Sequence, residues 1–354
     1  MLVVMKPLAT PAQLEEVQSL LASHALSGHL SQGEVRTVIG VFGQRFPTDF
    51  EAALQSLPGV EQTVLISKPY KLVSREFQPH NTVVQVGDVA VGGDEVVVIA
   101  GPCSVENQDQ ILRTAYAVRE SGARLLRGGA FKPRTSPYAF RGLGQRALEL
   151  LALAREQTGL GIVTEVMTPQ DVDLVGQYTD VFQIGARNMQ NYALLEAVGN
   201  TQTPVLLKRG LSATIEEWLL AAEYVAMRGN RSIIMCERGI RTFETALRNT
   251  LDLNAVAYIR EVAHLPVLVD PSHATGKRSL VPALSRAAIA GGADGLIVEV
   301  HPDPEHAQSD GAQSLNFPEF RQMMRQLQSI AQASGRVLGA AEAGLYHESQ
   351  LARL

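Results

Sequence analysis

The chain has 354 residues, 31 Lys and Arg against 36 Asp and Glu for a formal charge of -5, and 45% hydrophobic content. This is the profile of a soluble globular protein with one large core and room for a smaller companion, and its acidic balance excludes a general nucleic-acid binder. No stretch approaches the ~20 apolar residues of a membrane span, and the opening MLVVMKPLATPAQLEE lacks the apolar core of a signal peptide, so no membrane contact and a cytoplasmic location are expected. Two cysteines, Cys103 and Cys236, are too few for a disulfide framework.

The first seventy or so residues read as strand (Leu2 to Lys6), helix (Thr10 to Ala25, with Thr10 as cap and Pro11 in the first turn), strand (near Gly28 to Gln32), strand (Val35 to Phe42), helix (Thr48 to Leu57) and strand (Val60 to Ser67). That βαββαβ order is ferredoxin-like and predicts a small domain over 1–68. The polar stretch KPYKLVSREFQPHNT, with two prolines and no clear periodicity, predicts a linker over 69–82. Valines alternating with small or polar residues from Val83 to Gly93, around Gly87 and Asp88, signal a short hairpin.

Eight apolar runs follow, each leading into a helical stretch: VVVIAGP, RLLRGG, GIVTEV, VFQIGA, PVLLKR, SIIMCER, PVLVDP and GLIVEV. Eight such strands predict an α/β fold, a (β/α)8 TIM barrel over 83–338 with the hairpin at its start. The competing reading is a doubly wound open sheet. The position of the reactive residues favours the barrel: Cys103, Arg127, Glu165, Arg187, Lys208, Arg238, His273 and Glu299 fall at or just past the C-terminal ends of the eight strands. Barrel active sites are built on that rim. Residues 339–354 form a tail with no assignable role.

From Ser121 to Leu148 there are six cations and no carboxylate, with GGAFKPRTSP in the middle, so an anionic ligand is expected there. Closing the barrel would gather Arg127, Lys132, Arg187, Lys208 and Arg238, with Arg134 and Thr135 nearby. Arg forks match phosphate or carboxylate oxygens bidentately, and Lys supplies a point charge or a proton. The bland reading of each alone is a solvated surface charge. A second set, Cys103, His273, Glu299 and Asp310, combines thiolate, imidazole and carboxylates that can hold a divalent transition metal. Alone, Cys103 reads as a small buried hydrophobe. Cys236, inside SIIMCE, is assigned to packing.

The motifs GPCSVE, LRGGAFKPRTSP, IGARNMQN, LLKRG, CERGIRTFE, LVDPSHATG, IVEVHPDPE and SDGAQSL resemble those of 3-deoxy-D-arabino-heptulosonate 7-phosphate (DAHP) synthase. The likeness runs from Met1 to about Gly335 and places the chain in the branch with an N-terminal ferredoxin-like extension. The resemblance implies a metal-dependent barrel that condenses phosphoenolpyruvate with erythrose 4-phosphate and water, the first step of the shikimate pathway of aromatic amino acid biosynthesis. It implies one divalent ion per subunit (Mn, Zn, Fe, Co or similar) on Cys103, His273, Glu299 and Asp310. Phosphoenolpyruvate would be held by Arg127, Lys132, Arg187, Lys208 and Arg238, and erythrose 4-phosphate by Arg134 and Thr135.

A related family, 3-deoxy-D-manno-octulosonate 8-phosphate synthase, typically reads K-A-N-R-S where this chain has Lys132-Pro133-Arg134-Thr135. The shorter spacing favours the four-carbon aldehyde. In the mechanism this implies, carbon 3 of phosphoenolpyruvate attacks the aldehyde, water adds at carbon 2, and phosphate leaves by carbon–oxygen cleavage. Lys132 is the candidate proton donor, with its pKa expected to fall among neighbouring cations, and Glu165 is the candidate for orienting water. The extension implies feedback by tyrosine or phenylalanine, with His29 and Ser31 as candidate effector contacts, and the resemblance implies a homotetramer. The alternatives are the eight-carbon synthase and a catalytically inactive aromatic amino acid sensor.

Overall fold

The computed structural model describes residues 1–32, 37–42, 46–47, 49–64, 68–132, 138 and 140–339. It divides into two compact units, Met1–His80 and a larger one from Asn81 onward. In the first, strands β1 (Leu2–Met5), β2 (Ser27–Gln32), β3 (Thr37–Phe42) and β4 (Val60–Val64) form one antiparallel sheet in the order β2-β3-β1-β4, with helices α1 (Pro11–Ser23) and α2 (Phe50–Gln55). This is the ferredoxin-like arrangement. Alternate residues Met1, Val3 and Met5 join Ile39 and Val41 in a core closed by Val17 and Leu21 of α1 and by Phe50 and Leu54 of α2. Period two on the strands meets i,i+4 spacing on the helices. Helix α1 starts where the sequence signals it: Thr10 accepts from the Gln13 N–H, and the Gln13 side chain accepts from the Thr10 N–H at 2.9 Å, with Pro11 in the first turn.

The stretch expected as a linker carries buried Tyr70, Leu72, Val73 and Phe77, and the first unit runs on to His80. Irregular backbone buries side chains one at a time, so no periodicity announces them.

In the second unit, eight parallel strands close into a barrel: β7 (Glu95–Gly101), β8 (Leu125–Arg127), β9 (Gly161–Glu165), β10 (Val181–Ile184), β11 (Val205–Lys208), β12 (Ile233–Glu237), β13 (Val267–Val269) and β14 (Gly295–Glu299), which returns to β7. The helices between and after them are α3 (Gln108–Glu120), α4 (Gln145–Thr158), α5 (Val172–Gly176), α6 (Tyr192–Gly199), α7 (Ile215–Met227), α8 (Leu253–Val262), the short α9 (Pro271–Thr275), α10 (Val281–Ala290) and α11 (Phe317–Ala333). A last strand, β15 (Val337–Leu338), adds beside β7. Inward residues such as Ile99, Leu125, Val163, Leu206, Ile234, Leu268 and Ile297 fill the barrel. Cys236 lies among them, as packing. The hairpin β5 (Val84–Val86) and β6 (Val89–Val91) contributes its valines to the same core and so plugs the barrel end opposite the rim. Among the described residues no helix is long and apolar enough to cross a membrane.

Ile297 is fully buried at the barrel centre, so Ile297→Ala is expected to cost about 3 kcal/mol through lost burial and the cavity left behind. The check is a lower urea midpoint for the barrel transition at unchanged slope. Val337, 61% exposed, is the control, and Val337→Ala should shift stability by under about 0.5 kcal/mol.

Candidate active site and metal centre

Four elements deliver the central cluster. Cys103 follows β7, Glu299 ends β14, Asp310 lies in the loop after β14, and His273 sits on α9 after β13. Ligand atoms of Cys103, Glu299 and Asp310 all lie within 4.8 Å of one another. The Cys103 thiol donates to Asp310 Oδ2 at 3.1 Å, and His273 Nε2 is 3.4 Å from Glu299 Oε1 and 4.0 Å from Asp310 Oδ2. Asp310 adopts the left-handed conformation with φ 53°, which aspartate tolerates better than most residues.

Orientation of His273 comes from Asp270, a residue the sequence reading left unassigned. Its carboxylate is fully buried and accepts from the His273 N–H at 2.9 Å, from His273 Nδ1 at 2.7 Å and from the Lys208 ammonium. With the proton on Nδ1, Nε2 presents its lone pair toward Glu299 and Asp310. The sequence held a signal for this: Asp-Pro three residues before a histidine is a helix cap with proline at the first turn, and Asp270 caps α9. Gln313 donates to Glu299 Oε2 and accepts from Arg248 at 2.8 Å, which fixes its amide.

The buried charges shift one another. Burial, reinforced by Glu299, pushes the Cys103 thiol up to about 12 in the metal-free protein. Burial also lowers the His273 pKa, against Asp270 and Glu299. Asp310 ends at about 2: His273, the Cys103 thiol and Arg248 outweigh its burial. Glu299 Oε1 is buried with no hydrogen-bond partner among the described residues. A thiol, an imidazole lone pair and two carboxylates, one with an oxygen that accepts no hydrogen bond among the described residues, fit a divalent transition metal.

The cations stand around this cluster. Arg127 ends β8 with its side chain 4% exposed and Nη2 3.2 Å from Glu299 Oε1, while its Nε and Nη1 have no partner among the described residues. Lys208 and Arg238 are buried at the ends of β11 and β12. Arg187 is exposed and lines a cavity of about 220 Å³ with Gln190, Ser212 and Glu217. Glu165 ends β9 and is buried, in space that only a glycine leaves, since a Cβ on Gly185 would collide with its carboxylate.

Compared with known proteins, residues 73–333 match the DAHP synthetase I family and residues 1–68 match the DAHP synthase ferredoxin-like domain. The chain belongs to the DAHP synthetase I family. It is 52% identical over 336 residues to a phospho-2-dehydro-3-deoxyheptonate aldolase of Thermotoga maritima, covering 95% of this chain and 99% of that one. The crystal structure of the DAHP synthase of that organism superposes with a TM-score of 0.76, covering 95% of this chain and 98% of the other. A 2-dehydro-3-deoxyphosphooctonate aldolase of Syntrophotalea carbinolica is 36% identical over 265 residues, 70% of this chain and 95% of the relative.

Within this DAHP synthetase I site, one expectation needs correction. Lys132 was expected to have a lowered pKa. Burial does act in that direction, but Cys103, Glu165 and Glu299 outweigh it and hold the ammonium above its ordinary value. The local sequence displays only cations, and the compensating groups arrive from other strands. Lys132 Nζ donates to the Cys103 carbonyl at 3.1 Å. Arg134 and Thr135 lie outside the described residues. His29 and Ser31 are partly buried on β2, paired with Gly40 and Val38 of β3. A further buried cation went unassigned: Arg209 binds Glu237 at 3.0 Å and Asp252 at 2.8 Å, tying the loop after β11 to the start of α8.

Asp270→Asn keeps the helix cap but cannot accept from both Lys208 and the imidazole as a carboxylate does. It is expected to weaken Co(II) binding to the metal-stripped protein by about 10- to 100-fold, as followed by titration, with circular dichroism unchanged.

Proposed function

We propose that this chain condenses phosphoenolpyruvate with erythrose 4-phosphate and water to give 3-deoxy-D-arabino-heptulosonate 7-phosphate and phosphate, the first step of the shikimate pathway. The observation that carries this reading is Arg127: a buried guanidinium with two nitrogens that have no partner among the described residues, beside a thiol–imidazole–carboxylate cluster. Buried donors left unsatisfied are costly, and an anionic ligand completes them.

In this reading Arg127, Lys132, Arg187, Lys208 and Arg238 hold the phosphate and carboxylate of phosphoenolpyruvate, and Arg134 with Thr135 holds the sugar phosphate. Cys103, His273, Glu299 and Asp310 would hold one Mn, Zn, Fe or Co ion, which supplies Lewis acidity toward a carbonyl oxygen. Carbon 3 of phosphoenolpyruvate forms the new bond to the aldehyde carbon. Water then adds at carbon 2, and the carbon–oxygen bond to phosphate breaks. Lys132, held in its charged form by Cys103, Glu165 and Glu299 against its burial, is suited to donate a proton to the developing alkoxide. Glu165 orients the water.

The ferredoxin-like unit is proposed to bind tyrosine or phenylalanine through His29 and Ser31. The enzyme is proposed to act in the cytoplasm as a homotetramer.

Loss of phosphoenolpyruvate in metal-replete protein tests the reaction. Erythrose 4-phosphate should support turnover and arabinose 5-phosphate should not; preference for arabinose 5-phosphate would assign the eight-carbon reaction, and no turnover with either would favour the inactive sensor. Tyrosine or phenylalanine at millimolar concentration should slow the reaction, and a rate that neither lowers removes the regulatory reading. Cys103→Ala should lower turnover on the order of 100-fold or more with the fold retained, whereas full turnover by this variant after chelation would overturn the metal assignment.

A further inference from the structure

Two buried ionisable groups beside the cluster have no part in the reaction as derived. Glu106 lies in the loop after β7, three residues past Cys103, and His301 lies two residues past Glu299. Their side chains are 8% and 7% exposed, and His301 Nε2 lies 3.3 Å from Glu106 Oε1. The Asp303 N–H donates to His301 Nδ1 at 3.0 Å, so the ring proton resides on Nε2, on the side of the carboxylate. The same Glu106 oxygen accepts from the Gln308 N–H at 2.8 Å. Gln308 leads directly into Ser309 and Asp310, whose side chains both meet the Cys103 sulfur at 3.1 Å.

Glu106 is itself held. Its N–H donates to Gln110 Oε1 at 3.3 Å, while Gln110 Nε2 donates to the Ser104 carbonyl at 3.1 Å. Gln110 is buried on α3 and braces the loop that carries Cys103 from the helix side. One carboxylate oxygen therefore meets two points of the loop after the last strand, through the hydrogen bond from the Gln308 N–H and through the close electrostatic approach of His301 Nε2, which has no hydrogen-bond partner among the described residues.

We propose that Glu106 and His301 are a positioning pair that staples the loop after β7 to the loop after β14, setting the separation of Cys103 and Asp310 and with it the affinity for the metal. The inference rests on the metal reading above and adds a determinant of it. A pair serving only the stability of the fold would leave metal affinity untouched once the protein is folded. Losing a staple makes each binding event supply the ordering of the ligands that the intact pair has already made.

The test is Co(II) alone, titrated into the metal-stripped full-length protein, with its affinity and thiolate charge-transfer band as readouts. His301→Asn keeps an acceptor for the Asp303 N–H but cannot reach Glu106. It and Glu106→Ala should each weaken binding by about 10- to 100-fold and shift the band, while the double variant should be little weaker than either single one. Glu106→Gln, which retains an oxygen for both partners, should stay within about threefold of the parent. Parent-like affinity and band in His301→Asn, whatever its melting temperature, overturn the proposal, and this variant decides if Glu106→Ala does not fold. A parent that binds Co(II) no better than Cys103→Ala would overturn the metal reading as well. A parent that binds Co(II) but consumes no phosphoenolpyruvate would instead refute the synthase reaction, leaving the staple to stand or fall on its own affinities.

Discussion

The return of β14 onto β7 is the constraint on which the site depends. The two strands run in register from Gly295 beside Val97 to Glu299 beside Gly101. Glycine is required where the strands first meet, since a Cβ on Gly295 would collide with the Val97 carbonyl. At the far end Gly101 leaves room for β8 on the other side of β7, where a Cβ would collide with the Arg127 carbonyl. Closure brings Cys103 from the first strand's loop next to Glu299 and Asp310 from the last, residues about two hundred positions apart in the chain. In an open sheet these strands would be opposite edges.

Closure also concentrates charge, and buried charge must be paired. Asp270 is met by Lys208 and His273, Glu299 by Arg127 and Gln313, and Glu237 by Arg209. Among the described residues two openings remain at the centre of the cluster. Glu299 Oε1, though 3.2 Å from Arg127 Nη2, accepts no hydrogen bond, and Arg127 Nε and Nη1 have no partner, among the described residues. The first deficit suits a cation and the second an anion. A site with both, a few ångströms apart, is arranged for an anionic substrate beside a metal, and its paired groups hold that arrangement before either arrives.

Much of this is legible along the chain because it is local. Apolar runs of barrel-strand length, the capping box at Thr10 and the alternating valines of β5 and β6 each express a short-range rule, and the structure follows them. The same holds for the motif residues at the strand ends, since a parallel barrel sends every strand's C-terminus to one rim. The segment 69–80 was not legible: Tyr70, Leu72, Val73 and Phe77 are buried without a repeating pattern. Nor was Gln313, whose role exists only because Arg248 and Glu299 flank it in space.

The sequence by itself determined the order of elements, the two-unit division in outline, the reactive residue types and the strand end at which each stands, since all of these depend on neighbours within a few positions. Tertiary structure alone decided which groups face one another. Lys132 is the clearest case: along the chain it stands among Arg127, Arg134 and Arg141, but its ammonium is governed by Cys103, Glu165 and Glu299 from three other strands and their loops. Electrostatic energy depends on distance through space and on exclusion of water, and neither is set until the barrel has closed.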